Sequence, residues 1–298
     1  MPEVAAAPRG AVIRMLAGAC LISTNSILVK WAHVAPNVSA FYRMLFGGVL
    51  LAAILAWQRR FAMPSAKQLA WGLLPAFAFA LDLFLWHRSI FYVGPGLATL
   101  LANFQVFLMA LAGVLLFKER LGKAFVAGLA LAFVGLWLLV GRQWGGFTGV
   151  YRLGVIYGVL TGFCYAAYLL TLRRTQAVEP RATPEQLLCF VSLLCAAMLI
   201  VFVAAAGDSL RIPDAQTWGA LVGVALTGQV LGWVLIARAM PHLPASLVGL
   251  LLLLQPSLSF VFDVLLFARP TVAIDWIGLG LSLIGIFVAG QSKAKPAG

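Results

Sequence analysis

Residues 88–117 read RSIFYVGPGLATLLANFQVFLMALAGVLLF, and residues 238–267 read RAMPHLPASLVGLLLLLQPSLSFVFDVLLF. The second stretch follows the first at a constant offset of 150 positions, without a gap. Arg88 falls on Arg238, Gln105 on Gln255, and Leu115-Leu116-Phe117 on Leu265-Leu266-Phe267. The same offset carries Gly128 onto Gly278 and Gly135 onto Gly285. Leu matches alone would be weak evidence in so Leu-rich a chain. Matched Arg, Gln and Gly at one spacing indicate an internal duplication.

Around this repeat the composition is that of a chain dissolved in lipid. It is 63% hydrophobic and only 10% charged, with a mean hydropathy of +1.00. A soluble domain carries roughly 25% charged residues, so this chain lacks the polar surface to face water all round. The net charge of +12 does not indicate nucleic acid, because the basic residues sit in short clusters between apolar runs. Cys20, Cys164, Cys189 and Cys195 all fall inside apolar segments, which leaves no extramembrane disulfide framework and reads them as small buried hydrophobes.

A helix needs roughly 20 apolar residues to cross a bilayer. Ten such runs are legible, at 12–32, 37–57, 69–92, 95–117, 122–140, 153–172, 186–206, 216–237, 245–267 and 273–291. The first is read as a span rather than a signal peptide, since it is long, holds Ser23-Thr24-Asn25-Ser26, and has no convincing cleavage site after it. Lys and Arg set the orientation. Arg59, Arg60, Lys67, Lys118, Arg120, Lys123, Arg173, Arg174 and Arg181 crowd the connections on one side, together with the basic residues of both ends of the chain. The other side holds only Lys30, Arg88, Arg142, Arg152, Arg211 and Arg269. Both termini are therefore expected to be cytoplasmic.

The expected fold is all-α, with ten transmembrane helices in two five-helix repeats, residues 1–145 and 146–298, joined near the linker 142–151. Five is odd, so the second repeat enters the membrane from the opposite side. Gly10, Gly18 and Cys20 also match Gly154, Gly162 and Cys164 at an offset of 144. Inverted repeats place a transport site near the bilayer midplane, where the halves meet.

Polar groups inside the runs are the candidates for that site, because an ionisable side chain in lipid needs a reason. Asp82 lies mid-run in the third, with Phe79 and Trp86 on its face and His87 one position further round. A cavity acid and a buried structural acid explain Asp82 equally well. Thr99 and Asn103 share a face of the fourth run, where Phe104 and Gln105 follow. Gln255, Ser259 and Asp263 share a face of the ninth, and Pro256 is expected to bend that helix by removing a backbone donor. Tyr165 and Tyr168 face with Thr161 on the sixth run, and Gln229 with Trp233 on the eighth. Asn25 completes the set of wall candidates. Arg43 and Asp263, at similar depth, are read as structural, either paired with one another or reaching for headgroups. Aromatic walls stack flat ligands and attract cations, which favours amphipathic amine-bearing substrates over sugars. No P-loop, HExxH or GxSxG is present, and the three His residues are scattered. Neither an enzyme, nor a metal site, nor a cofactor is expected.

Tyr42-Arg43 early in the second run, Pro95-Gly96 opening the fourth, and LLFKERLGKAFVAGLALAFVGLWLL at 115–139, with Glu119, Gly128 and Gly135, resemble the drug/metabolite transporter superfamily of the EamA type. The resemblance extends over both halves and is nearest to exporters of aromatic amino acids of the YddG type. It departs at Arg269, where the family often has Glu. It implies a bacterial inner-membrane protein, ten helices arranged as a basket, and a site among helices 1, 3, 4, 6, 8 and 9. The expected function is secondary export of small amphipathic metabolites, aromatic and other neutral amino acids first, by alternating access. The alternative is a multidrug or quaternary-cation exporter of the same fold.

Overall fold

The computed structural model describes residues 8–119, 122–140, 148–179 and 182–290. Among these described residues, eight helices are long and apolar enough to cross a membrane. They are α1 (Arg9–Trp31), α2 (Pro36–Trp57), α3 (Ala66–Val93), α4 (Pro95–Phe117), α6 (Gly149–Val178), α7 (Pro184–Ala206), α8 (Ala215–His242) and α9 (Ala245–Phe267). Two further apolar helices, α5 (Lys123–Val140) and α10 (Ala273–Gly290), complete the set at the places of the two remaining runs. There is no strand among the described residues. Residues 142–147 of the expected linker lie outside the described residues, as do Arg120, Arg181 and the tail from 291.

Local chemistry fixes where the helices begin. Ser65 and Thr183 each form a reciprocal capping box, with Gln68 and Gln186. Thr148 and Asp214 cap α6 and α8 by accepting from Tyr151 and Thr217 backbone N–H groups. Pro36, Pro95 and Pro184 open their helices, where the missing donor costs nothing. The helices therefore begin a few residues before several of the apolar runs.

Packing joins the two copies helix by helix. The pairs α2 with α7, α4 with α9 and α5 with α10 cross between equivalent elements, while α3 packs on α6 and α1 on α8. Equivalent residues make equivalent contacts. A Cβ at Gly135 would strike the carbonyl oxygen of Gly278, and one at Gly285 would come within 2.5 Å of the carbonyl oxygen of Gly128. Arg88 of α3 donates to Asn37, the second residue of α2, at 2.5 Å. Its counterpart Arg238 of α8 bonds Glu185, the second residue of α7. The matched Leu pairs point the other way: Leu115, Leu116, Leu265 and Leu266 are exposed, as suits a surface facing lipid. Cys189 and Cys195 are buried as expected, but Cys20 is exposed on that outer surface and Cys164 half-buried.

Three spans are interrupted near their middles. In α1 the helix breaks at Thr24. In α4 it tightens at Asn103-Phe104, where i to i−3 bonds replace the regular ladder, and in α9 it does so at Leu252-Leu253. These two breaks are one position out of register in the 150-residue alignment. The copy in α4 has Val106 where α9 has Pro256, so the proline is not required for the break. Pro256 lies in the first turn of the helical segment after the break, Leu254–Phe267, where its missing donor is tolerated. In α8, Val224–Gly232 is wound as a π-helix. Irregular winding of this kind inside a span is common where helices border a site.

Candidate functional site

The interrupted helices converge on a small cavity of about 40 Å³. Its walls are Ile22 of α1, Arg43 of α2, Phe79, Asp82 and Trp86 of α3, Thr99, Ala102 and Asn103 of α4, Thr161 and Tyr165 of α6, Trp233 of α8 and Gln255 of α9. Most of these positions lie in the middle portion of their helices. The cavity therefore sits between the two copies and takes side chains from both.

Aromatic rings build one wall. Phe79 stacks on Tyr168 with centroids 4.1 Å apart and planes 8° from parallel. Trp233 stands edge-on to Phe79, Tyr168 and Tyr165, at 5.4, 4.8 and 6.0 Å. Such edge-to-face pairs contribute about 0.5–1.5 kcal/mol each beyond the area they bury. Tyr168 itself is fully buried behind the wall. Trp233, which lines the cavity, is thus held by three aromatic neighbours.

The polar wall is only partly satisfied. Gln255 donates to the Tyr165 hydroxyl at 3.3 Å, which ties α9 to α6 across the cavity. Asn103 donates to the Thr99 carbonyl at 2.8 Å, and Thr99 in turn to the Pro95 carbonyl. Asn103 Oδ1, Trp233 Nε1 and Arg43 Nε are buried without a partner among the described residues. An orphaned buried polar group costs about 1–3 kcal/mol, so a ligand that bonds these three atoms would be favoured.

Two ionisable side chains, one basic and one acidic, line this space. Arg43 is 3% exposed and Asp82 6%. The Arg43 guanidinium lies 5.6 Å from the ring centroids of both Phe79 and Trp86. Among the described residues, neither side chain makes a hydrogen bond or an ion pair. An ionised residue at the centre of a membrane helix costs about 2.5–3.5 kcal/mol on insertion scales.

Of the wall candidates drawn from sequence, Asp82, Trp86, Asn103, Tyr165, Trp233 and Gln255 are brought together here. The others are placed elsewhere. Asn25 accepts from Thr227 at 3.3 Å in the α1–α8 contact. His87 is fully buried, with Nδ1 2.8 Å from the Leu83 carbonyl of its own helix. Phe104 packs on Phe107 and Phe163. Gln105 donates to the Gly249 carbonyl at 3.1 Å, joining α4 to α9. Gln229 donates to Ser192 at 2.8 Å, and Ser259 to the Ser23 carbonyl at 2.9 Å. All of these but His87 hold helices to one another around the cavity.

Arg43 and Asp263 do not pair. Asp263 Oδ2 accepts from Gly96 N at 3.0 Å and from Arg269 Nη1 at 3.1 Å, while Arg43 lies among the aromatic rings of the cavity. Similar depth placed the two together in sequence, but they are on helices that turn toward different neighbours. Phe79 and Thr161 were already legible from their spacing with Asp82 and Tyr165. Ile22 and Ala102 carry no polar signal and emerge only from the fold.

The sequence can now be set beside its relatives. A probable amino-acid metabolite efflux pump of Salmonella typhimurium is 24% identical over 273 residues, which cover 89% of each chain. An uncharacterized transporter of Haemophilus influenzae is 29% identical over 160 residues, 52% of this chain. That match spans about half of the relative's length, 51%. A crystal structure superposes with a TM-score of 0.73 at 20% identity, over 94% of this chain and 96% of the other, which establishes the shared fold. The sequence profile of one family matches twice, over residues 9–141 and 152–291, so nearly all of the chain is covered and it belongs to the EamA-like transporter family.

Proposed function

We propose that the protein is a secondary transporter that exports small amphipathic metabolites, aromatic and other neutral amino acids first among them, by alternating access around the central cavity. The observation that carries this reading is the composition of the cavity wall. Rings of Phe79, Trp86, Tyr165 and Trp233 stand beside Asn103, Gln255 and two charges of opposite sign. An aromatic side chain suits the rings, and the polar head of an amino acid suits the rest. The efflux activity named for the Salmonella relative agrees with export. In this reading α5 and α10 also span the bilayer, the two copies are inverted, both termini are cytoplasmic, and the membrane is a bacterial inner membrane. The irregular segments of α1, α4, α8 and α9 supply the bending points. Substrate binding must differ little between the inward and outward states, or the substrate would be trapped.

A multidrug or quaternary-cation exporter is the second reading, favoured by Asp82 among aromatic rings. The Arg43 guanidinium in the same cavity repels a permanent cation and weighs against it.

Counterflow of labelled Phe or Trp into liposomes holding the purified protein tests the function. Competition by aromatic amino acids but not by sugars, with flux reduced by Asn103→Ala or Gln255→Ala in folded protein, supports it. Flux of quaternary cations with none of amino acids would replace it by the second reading. Flux insensitive to an imposed pH gradient would identify a facilitator.

A further inference from the structure

The inference rests on the functional reading above and concerns how one cavity selects its substrate. Arg43 and Asp82 are opposite charges on different helices, each more than nine-tenths buried. Both line one cavity. Had the fold needed them only as a structural ion pair, they would meet, yet no ion pair or hydrogen bond joins either to any described residue. The guanidinium is instead held by two aromatic faces, Phe79 and Trp86. Those rings fix its position without using its N–H donors. A basic and an acidic side chain that line one cavity beside an aromatic wall, without a direct ion pair between them, match a molecule with its own two opposite charges and an aromatic or apolar side chain.

We propose that Arg43 and Asp82 form a split receptor for the zwitterionic head of a free α-amino acid, Arg43 taking the carboxylate and Asp82 the ammonium group. Arg suits the carboxylate because its planar fork presents paired donors. An ionised Asp accepts from the three N–H groups of the ammonium. The substrate then matches both buried groups at once, so the loaded site can close and switch access without leaving either unmatched. A ligand with one charge leaves the other side chain unmatched, and this is how the site would reject amines and carboxylic acids that have the same ring. The side chain is read more loosely, by ring stacking.

The test uses the full chain in liposomes and three compounds with the same phenyl ring. L-Phe has both charges, phenethylamine only the ammonium, and 3-phenylpropionate only the carboxylate. In the wild-type protein L-Phe should compete at least about 10-fold better than either analogue. Asp82→Asn should lose this preference and favour 3-phenylpropionate, whereas Arg43→Gln should favour phenethylamine. That crossover in ranking is a readout that a purely structural role would not move. Asp82→Glu and Arg43→Lys keep the charges and must keep the wild-type ranking, which covers the case in which the neutral variants fail to fold. Equal competition by all three compounds with intact Phe counterflow would overturn the inference alone. So would a parallel loss of all three in monodisperse neutral variants, or a lost ranking in the charge-retaining ones. Absence of Phe counterflow from folded wild-type protein would overturn the functional reading and the inference with it.

Discussion

Glu119 and Arg269 occupy equivalent positions in the two copies and serve equivalent helix starts by opposite means. Glu119 accepts from the backbone N–H of Ala245 at 2.9 Å and of Ser246 at 3.3 Å, and from the Ser246 hydroxyl at 2.6 Å. It thereby caps α9. The matching start of α4 is capped by Asp263, which accepts from Gly96 N at 3.0 Å and is held by Arg269 at 3.1 Å. Asp263 is the counterpart of Gly113, and a Cβ at Gly113 would lie 2.5 Å from a Glu119 carboxylate oxygen. One copy thus uses Gly and Glu where the other uses Asp and Arg. Both put a carboxylate at the positive end of a helix, where it is favoured.

This exchange predicts a rescue. Arg269→Glu alone sets a second carboxylate against the buried Asp263 and removes its partner, at a cost of about 3 kcal/mol. Adding Asp263→Gly rebuilds the pattern of the first copy and should restore most of that loss. Thermal unfolding of the two variants in detergent decides the matter. A double variant no more stable than Arg269→Glu would show that the two caps are not interchangeable.

The turn that aims these residues is duplicated too. Lys118 and Ala268 end their helices at φ 53° and 49°, the left-handed region that costs a non-glycine residue about 1–2 kcal/mol. The chain reverses there, so that Glu119 and Arg269 point back along the helices just completed. Ala268→Gly and Lys118→Gly should each raise stability by up to about 1 kcal/mol and leave counterflow unchanged. A lower unfolding temperature for both would mean that the side chains at 118 and 268 matter more than the backbone geometry.

The reciprocal glycine contacts between α5 and α10 yield a paired comparison on one helix. A Cβ at Gly285 would lie 2.5 Å from the Gly128 carbonyl and 2.9 Å from Ala132 N, all backbone, so the helices would have to separate. Gly280 has nothing within 4 Å of its added Cβ. Gly280→Ala should therefore be neutral or gain up to about 1 kcal/mol from helix propensity, while Gly285→Ala should lower the unfolding temperature and the yield of monodisperse protein. Equal behaviour of the two would remove the case for close backbone packing there.

How far the sequence led differs between these features. The duplication was plain because Arg and Gln are rare enough in an apolar chain to mark a register; the structure gives Arg88 and Arg238, and Gly135 and Gly285, matching contacts, while Gln105 and Gln255 bond different helices. The Asp82–Trp86 face was legible from helical spacing alone. The role of Arg43 was not, because depth along a span says nothing about which neighbour the helix turns toward. Asp263 was read as structural, but its partner was not legible, because Arg269 lies beyond a left-handed turn that no apolar pattern announces. His87 follows Trp86 by one residue, about 100° round the helix, which is enough to take it off the cavity wall. The breaks in α4 and α9 were expected from Pro256 in one copy only. Their occurrence in both traces to backbone winding that the 150-residue match hides.

Outside the membrane, one carboxylate should leave a signature in acid. Asp214 accepts from His33 Nδ1 at 2.8 Å and from Thr217 N at 2.7 Å, linking the loop after α1 to the start of α8. The His33 bond first, then the Thr217 backbone bond, hold the Asp214 carboxyl below its ordinary pKa. A group whose folded pKa is depressed stabilises the fold fully above its unfolded value, about 3.9, and loses that contribution as the pH falls through the folded value. Asp214→Asn keeps an oxygen that can cap Thr217 but has no charge to lose. The unfolding temperature of the wild-type protein should therefore fall relative to that of Asp214→Asn as the pH drops below about 4. Curves that remain parallel down to the acid limit would mean that Asp214 binds its proton equally in the folded and unfolded chains, and that the His33 contact contributes no linkage.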